Sequence, residues 1–173
     1  MEEELALQKL NDWYWSHSDE IYRYILMLTA DHELAKDLTH DTFIKAYKSM
    51  RSFRGEASVR NWLFRIARNT TIDDARKRKP FRFIVDSYAS LATNDYLPEQ
   101  VTQLGESEKE LYHSLIKLKR SYREVIILRK IKELTIRETA EILDWSEGKV
   151  KITLYRALNA LKKQMLKEGY VHE

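Results

Sequence analysis

Apolar residues recur at helical spacing along most of the chain. They fit one helix over residues 5–15 and a second over 21–28, within an opening stretch of 54 residues that has neither Gly nor Pro. A third helix is predicted from an N-cap at Asp31 to Met50 or Arg51. Its buried stripe is Leu34, Leu38, Phe43, Ala46, Tyr47 and Met50, which leaves Asp37, His40, Asp41 and Lys48 outside or at the border. A fourth helix starts near Ser58 and ends before Pro80. Its period puts Val59, Trp62, Leu63, Ile66 and Thr70 inward. Arg60, Asn61, Phe64, Arg68 and Lys79 then face outward, with Arg65 and Arg76 at the border, and Asp73 lies near the inward side as a structural acid paired with a neighbour.

Two capping boxes mark the second half. Ser121-Tyr122-Arg123-Glu124 opens one helix and Thr135-Ile136-Arg137-Glu138 the next. Ser146 caps the last helix, where Val150, Leu154, Ala157, Leu158 and Leu161 form one apolar face. Helices over 135–143 and 147–166 are thus joined by Asp144-Trp145-Ser146, the spacing of a helix-turn-helix. An ordinary helical hairpin shares that spacing. The face opposite the core points to DNA: it carries Lys149, Ile152, Arg156, Asn159 and Lys163, flanked by Lys151, Thr153 and Tyr155. Such a mixture contacts both phosphates and base edges, and an outward Ile152 suits a thymine methyl.

Between the halves, residues 80–106 hold Pro80, Pro98 and Gly105, with weak periodicity and many small polar residues. At about 25 residues this exceeds an ordinary connection, which favours a flexible or functional tether. Phe81, Phe83, Tyr88 and Tyr96 suit docking on a partner or local packing. The fold class predicted is all-α: two small helical domains, 1–80 and 107–173, joined by a linker over 81–106.

Composition narrows the picture. Of 173 residues 43% are hydrophobic, enough for a packed core. Four Gly and two Pro are too few for the turns of a β-sandwich or barrel. The absence of Cys excludes a disulfide framework, a thiolate zinc site and a cysteine nucleophile. Three glutamates stand where a signal peptide needs basic residues, and the longest apolar stretch of that half, 25–28, is too short for a bilayer. A soluble, cytoplasmic protein is the expectation.

The net charge of +3 conceals a strong polarity. Residues 1–45 hold ten acids and four bases, residues 60–82 eight bases and two acids, residues 83–107 four acids and no base, and residues 108–173 fifteen bases and ten acids. Two basic segments around an acidic one suggest two contact surfaces for a polyanion; the alternative is solvated helix faces. In the first basic segment, an outward Phe64 among arginines suits single-stranded nucleic acid, its ring stacking on bases while the cations hold the backbone. Packing of Phe64 on a neighbouring helix is the alternative. The loop from Phe53 to Ser58 contains Gly55, whose tight backbone would leave Phe53 exposed beside a pocket for an unstacked base.

Catalytic patterns are absent. Gly55, Gly105, Gly148 and Gly169 are scattered, so no phosphate-cradling loop exists. The five histidines form no HExxH or close pair, and adjacent Asp73 and Asp74 point in different directions. No enzyme, metal or cofactor is expected.

Three strings carry a family resemblance: AKDLTHDTFIKAY (35–47), FRGEASVRNWLFRIARNTTIDDARKRK (53–79) and YREVIILRKIKELTIRETAEILDWSEGKVKITLYRALNALKK (122–163). In this order they resemble group IV bacterial sigma factors, the extracytoplasmic-function type of the sigma-70 family. The resemblance implies a region 2 that binds the clamp helices of the RNA polymerase largest subunit, through a helix containing Asp37, Leu38, Asp41, Thr42 and Phe43. It implies recognition and melting of the −10 promoter element by Phe53, Arg54, Gly55, Ser58, Arg65, Arg68, Asn69 and Arg76, to which the residue reading adds Phe64. Trp62 also matches, but its inward phase makes it core. A region 4 helix-turn-helix would bind −35 duplex through Ser146, Lys149, Lys151, Ile152, Thr153, Tyr155 and Arg156. Core polymerase, including its flap, promoter DNA and an anti-sigma factor, commonly membrane-tethered, are the implied partners of a chain that is monomeric by itself. The chain departs from the family at His40, where Gln is usual, and at Glu133 and Asp144, where Gly is frequent. It also has Lys149, Ile152 and Thr153 where Thr, Ser and Arg are common. A promoter-specificity subunit of a stress or envelope regulon is the expectation. The rivals are a helix-turn-helix regulator whose residues 1–80 sense a signal or dimerise, and an interaction protein whose basic faces bind acidic proteins.

Overall fold

The computed structural model describes residues 1–78 and 105–171. Almost all of the expected linker, with its four aromatics and both prolines, lies outside the described residues, as does Lys79. The chain divides into two compact units, with the break after Arg78. Among the described residues there are seven α-helices and no strand.

The first unit contains α1 (Glu2–Thr29), α2 (His32–Ser49) and α3 (Val59–Lys77), each packed on the other two. Where the pattern suggested two helices before Asp31, α1 is continuous. The polar stretch at residues 16–20 contains no helix breaker, and its Asp19 pairs with Arg23 one turn on, at 3.1 Å. Only the second half of α1 is core, through Ile21, Tyr24, Ile25, Leu26 and Leu28. The helix ends at Ala30, which is left-handed (φ 53°) and donates its N–H to Leu26 at 2.8 Å.

Asp31 caps α2 by accepting from the Leu34 N–H at 3.0 Å. The buried stripe of α2 includes Thr39 and Thr42, whose hydroxyls donate to the carbonyls of Ala35 and Leu38 at 2.6 Å each. These bonds let two polar side chains lie in the core without a lost hydrogen bond. A 3₁₀ turn (Met50–Ser52) follows, then a loop that Gly55 turns with φ 75°. Ser58 caps α3 by accepting from the Asn61 N–H at 3.1 Å.

The second unit contains α4 (Glu106–Ile116), α5 (Arg120–Ile126), α6 (Ile136–Leu143) and α7 (Glu147–Lys167). The capping box expected at Ser121 does not form. α5 begins at Arg120 with Lys119 at the N-cap position, so Ser121 already lies inside the first turn and Glu124 is buried. The run Val125, Ile126, Ile127 and Leu128, across the end of α5 and the turn that follows, is buried throughout, and α5 packs on α7, which also meets α4 and α6. It unwinds through a π turn (Ile127–Ile131), and Glu133 reverses the chain at φ 56°. The second box does form. Thr135 Oγ1 accepts from the Glu138 N–H at 3.1 Å, and Glu138 Oε2 accepts from the Thr135 N–H at 2.8 Å.

Candidate nucleic-acid interface

α6 and α7 are joined by the three-residue turn that the spacing predicts. Asp144 is left-handed (φ 56°), and Trp145 N–H donates to the Ala140 carbonyl at 3.0 Å. Ser146 then caps α7 by accepting from the Lys149 N–H at 3.1 Å. Val150, Ala157 and Leu161 are buried, Leu154 is half-buried and Leu158 lies partly outside the core. The opposite face is open. Lys149, Lys151, Ile152, Tyr155, Arg156, Asn159 and Lys163 are all exposed, Ile152 by 55% and Tyr155 by 72%. Thr153, on the flank, is half-buried, and Ser146 is exposed although its hydroxyl serves the cap. Lys149 Nζ lies 4.4 Å from the Trp145 ring centroid, a cation–π contact at the first turn of α7. Cations, hydroxyls and exposed apolar groups on one helix form a surface suited to a DNA groove.

The basic helix of the first unit differs from its expected phase. Phe64 is fully buried, with its ring edge-on to Tyr24 at 4.9 Å. It therefore cannot stack on bases in this fold, and its place among the −10 contacts is corrected. The cause is that α3 packs against α1 and α2 together, so its buried arc is wider than one apolar stripe. Asn61, Phe64, Ala67 and Thr71 are inside, while Val59, Trp62 and Ile66 are only half-buried. Arg60, expected outward, grips Glu20 of α1 through Nε at 3.0 Å and Nη2 at 2.6 Å, with its guanidinium 5.2 Å from the Phe64 ring centroid. Asp73 is exposed; its neighbour Asp74 makes the ion pair, with Arg78 at 3.2 Å.

Arg54, Gly55, Ser58, Arg65, Asn69 and Arg76 are exposed, and Arg68 is half-buried. Phe53 is not open as expected. It packs 4.8 Å from the Trp62 ring and edge-on to Trp13 at 5.8 Å, and Trp13 meets Trp62 at 5.7 Å. A half-buried cluster of three rings thus stands beside the Gly55 loop. Trp13 carries no signal in its own helix, because its partners arrive some forty and fifty residues later.

On α2, Asp37, His40 and Asp41 are exposed, with Lys36, Ile44 and Lys45 beside them. Leu38, Thr42 and Phe43 are buried, and Phe43 meets Tyr14 at 5.1 Å. As direct partner contacts these three are corrected: they support the face that Asp37 and Asp41 present. An open cleft of about 300 Å³ lies beside that face, lined by Tyr14, Ser18, Asp19, Tyr22, Lys36, Thr39 and His40. Tyr22 and His32 hydrogen-bond through Oη and Nδ1 at the α1–α2 turn. Among the described residues no group of three His, Cys, Asp or Glu is placed to hold a metal, and no helix is long and apolar enough to cross a membrane.

Comparison with known proteins matches these features in order. The family model for Sigma-70 region 2 matches residues 13–81, and that for Sigma-70, region 4 matches residues 108–161. RNA polymerase sigma factor YlaC of Bacillus subtilis (strain 168) is 40% identical over 160 residues, 91% of this chain and 92% of its own. ECF RNA polymerase sigma factor SigW of the same organism is 32% identical over 158 residues, 86% of this chain and 84% of its own. Among solved structures, the sigma factor RpoE from Bartonella quintana, in complex with the anti-sigma factor NepR, superposes with a TM-score of 0.73 at 25% identity, covering 92% of this chain and 98% of that one. With both regions matched over most of its length, the chain belongs to the sigma-70 family of RNA polymerase sigma factors, in its extracytoplasmic-function branch.

Proposed function

We propose that this chain is the promoter-specificity subunit of a bacterial RNA polymerase, without catalytic activity of its own and at work in the cytoplasm. The observation that carries this is the pairing, in one chain, of an exposed basic recognition face on α7 with an aromatic cluster beside a basic helix in the first unit. Residues 107–173 form region 4: Lys149, Lys151, Ile152, Thr153, Tyr155 and Arg156 read −35 duplex, with Ser146 at the N-cap of the same helix. Residues 1–80 form region 2: Arg54, Arg65, Arg68, Asn69 and Arg76 hold the −10 strand around the Phe53 loop. The acidic face of Asp37 and Asp41 docks on a basic partner surface, the clamp helices of the largest polymerase subunit. Residues 81–106 connect the two. The solved relative bound to an anti-sigma factor supports control of this chain by such an inhibitor as well.

The deciding experiment mixes purified core polymerase with the chain on a library of promoter fragments. Transcription starting at discrete sites, and lost when Asp37 and Asp41 are both changed to Lys, is the expected result. Unchanged initiation would remove the proposal. Sequence-specific duplex binding by a dimer without polymerase would favour a helix-turn-helix regulator instead.

A further inference from the structure

The last helix ends on an acid that its own dipole opposes. Glu168 is the C-cap of α7, at the negative end of the helix, where a carboxylate is unfavourable. It also meets the last turn of α4, another negative helix end, and its side chain is only 11% exposed. Three donors compensate. Ser114 Oγ donates to Oε2 at 2.8 Å, Gln164 Nε2 donates to Oε1 at 2.8 Å, and Lys117 Nζ donates to Oε1. Ser114 is itself fully buried. Burial pushes the Glu168 pKa up, but the hydrogen bonds from Lys117, Gln164 and Ser114, with the Lys117 charge, outweigh it and hold the carboxyl below its ordinary value.

A residue that breaks a local preference, and is then satisfied from two helices, marks a constraint other than helix stability. That constraint is the seating of α7. The helix is one rod of 21 residues, about 30 Å long at 1.5 Å per residue. Val150 and Ala157 anchor the half that carries the DNA face, and the Glu168 cross-link ties the far end to α4. Movement at the far end of a rod tilts the near end. We infer that Glu168 is a positioning residue: by fastening α7 to Ser114 and Lys117 it sets the angle at which Lys149, Ile152 and Arg156 meet duplex DNA. The inference rests on the DNA-binding reading of α7.

The test uses the full chain and a duplex selected from a random pool by the wild-type protein. Affinity is measured for Glu168→Gln, Lys117→Ala and the reversed pair Lys117→Glu/Glu168→Lys, at a temperature where circular dichroism shows each fully folded. Both single variants should bind several-fold more weakly. The reversed pair should regain most of the affinity, because Ser114 and Gln164 accept hydrogen bonds as well as donate them. If the folded single variants match the wild type and only melt earlier, Glu168 is a stabiliser and the inference fails. A folded reversed pair that regains nothing also overturns it; should that pair not fold, the single variants still decide. A wild-type chain that selects no duplex would sink the DNA reading, and this inference with it.

Discussion

Phe64 lies between the Tyr24 ring and the Arg60 guanidinium, with no surface left to water. Its removal leaves a cavity in the first unit's core. Phe64→Ala should lower stability by about 3–5 kcal/mol, read from urea unfolding; a change below about 1 kcal/mol would contradict the packing described. Period alone could not have placed this ring. A helical repeat fixes angles relative to an apolar stripe, but α3 has neighbours on two sides, and the residue between two stripes is decided by where the second neighbour lies. At Glu168 the physics is titration. Its folded pKa is depressed, so its contribution is complete above the pKa of an unfolded glutamate, about 4.3. It is lost as pH falls through the lower folded value. The wild type should therefore lose more stability than Glu168→Gln between neutral pH and about pH 3, as measured by urea midpoints.

At the scale of elements, helix starts were legible where one side chain reaches its own chain three residues on. Asp31, Ser58, Thr135 and Ser146 each accept from the expected backbone N–H. Ser121 has the same local pattern and does not cap: the helix already starts at Arg120, and the Glu124 that would complete the box is buried. The turn before α6 is a different case. Glu133 holds φ 56°, a left-handed conformation that disfavours a side chain with Cβ by about 1–2 kcal/mol. Glu133 is exposed, so Glu133→Gly should raise stability by roughly 0.5–1 kcal/mol once the extra freedom of unfolded glycine is subtracted. A thermal midpoint that stays or falls would refute the strain at this turn.

At the scale of the whole molecule, the charge polarity along the chain carries the functional expectation. If α7 grips phosphates, duplex affinity must fall steeply with salt, and Lys151→Ala should reduce the slope of log K against log salt by about 1. An unchanged slope would place Lys151 away from the backbone. The sequence alone determined the helical class, the bounds of α6 and α7 with their short turn, and the outward residues of α7, since 3.6-residue periodicity and capping are short-range. It also carried the family resemblance, because motif order survives without coordinates. Tertiary structure alone decided what lies at helix junctions. Phe64 went into the core, Phe53 joined Trp13 and Trp62, Arg60 found Glu20, and Glu168 bridged to α4. Each of these outcomes depends on a partner forty or more residues away, and no local rule contains the direction from which such a partner approaches.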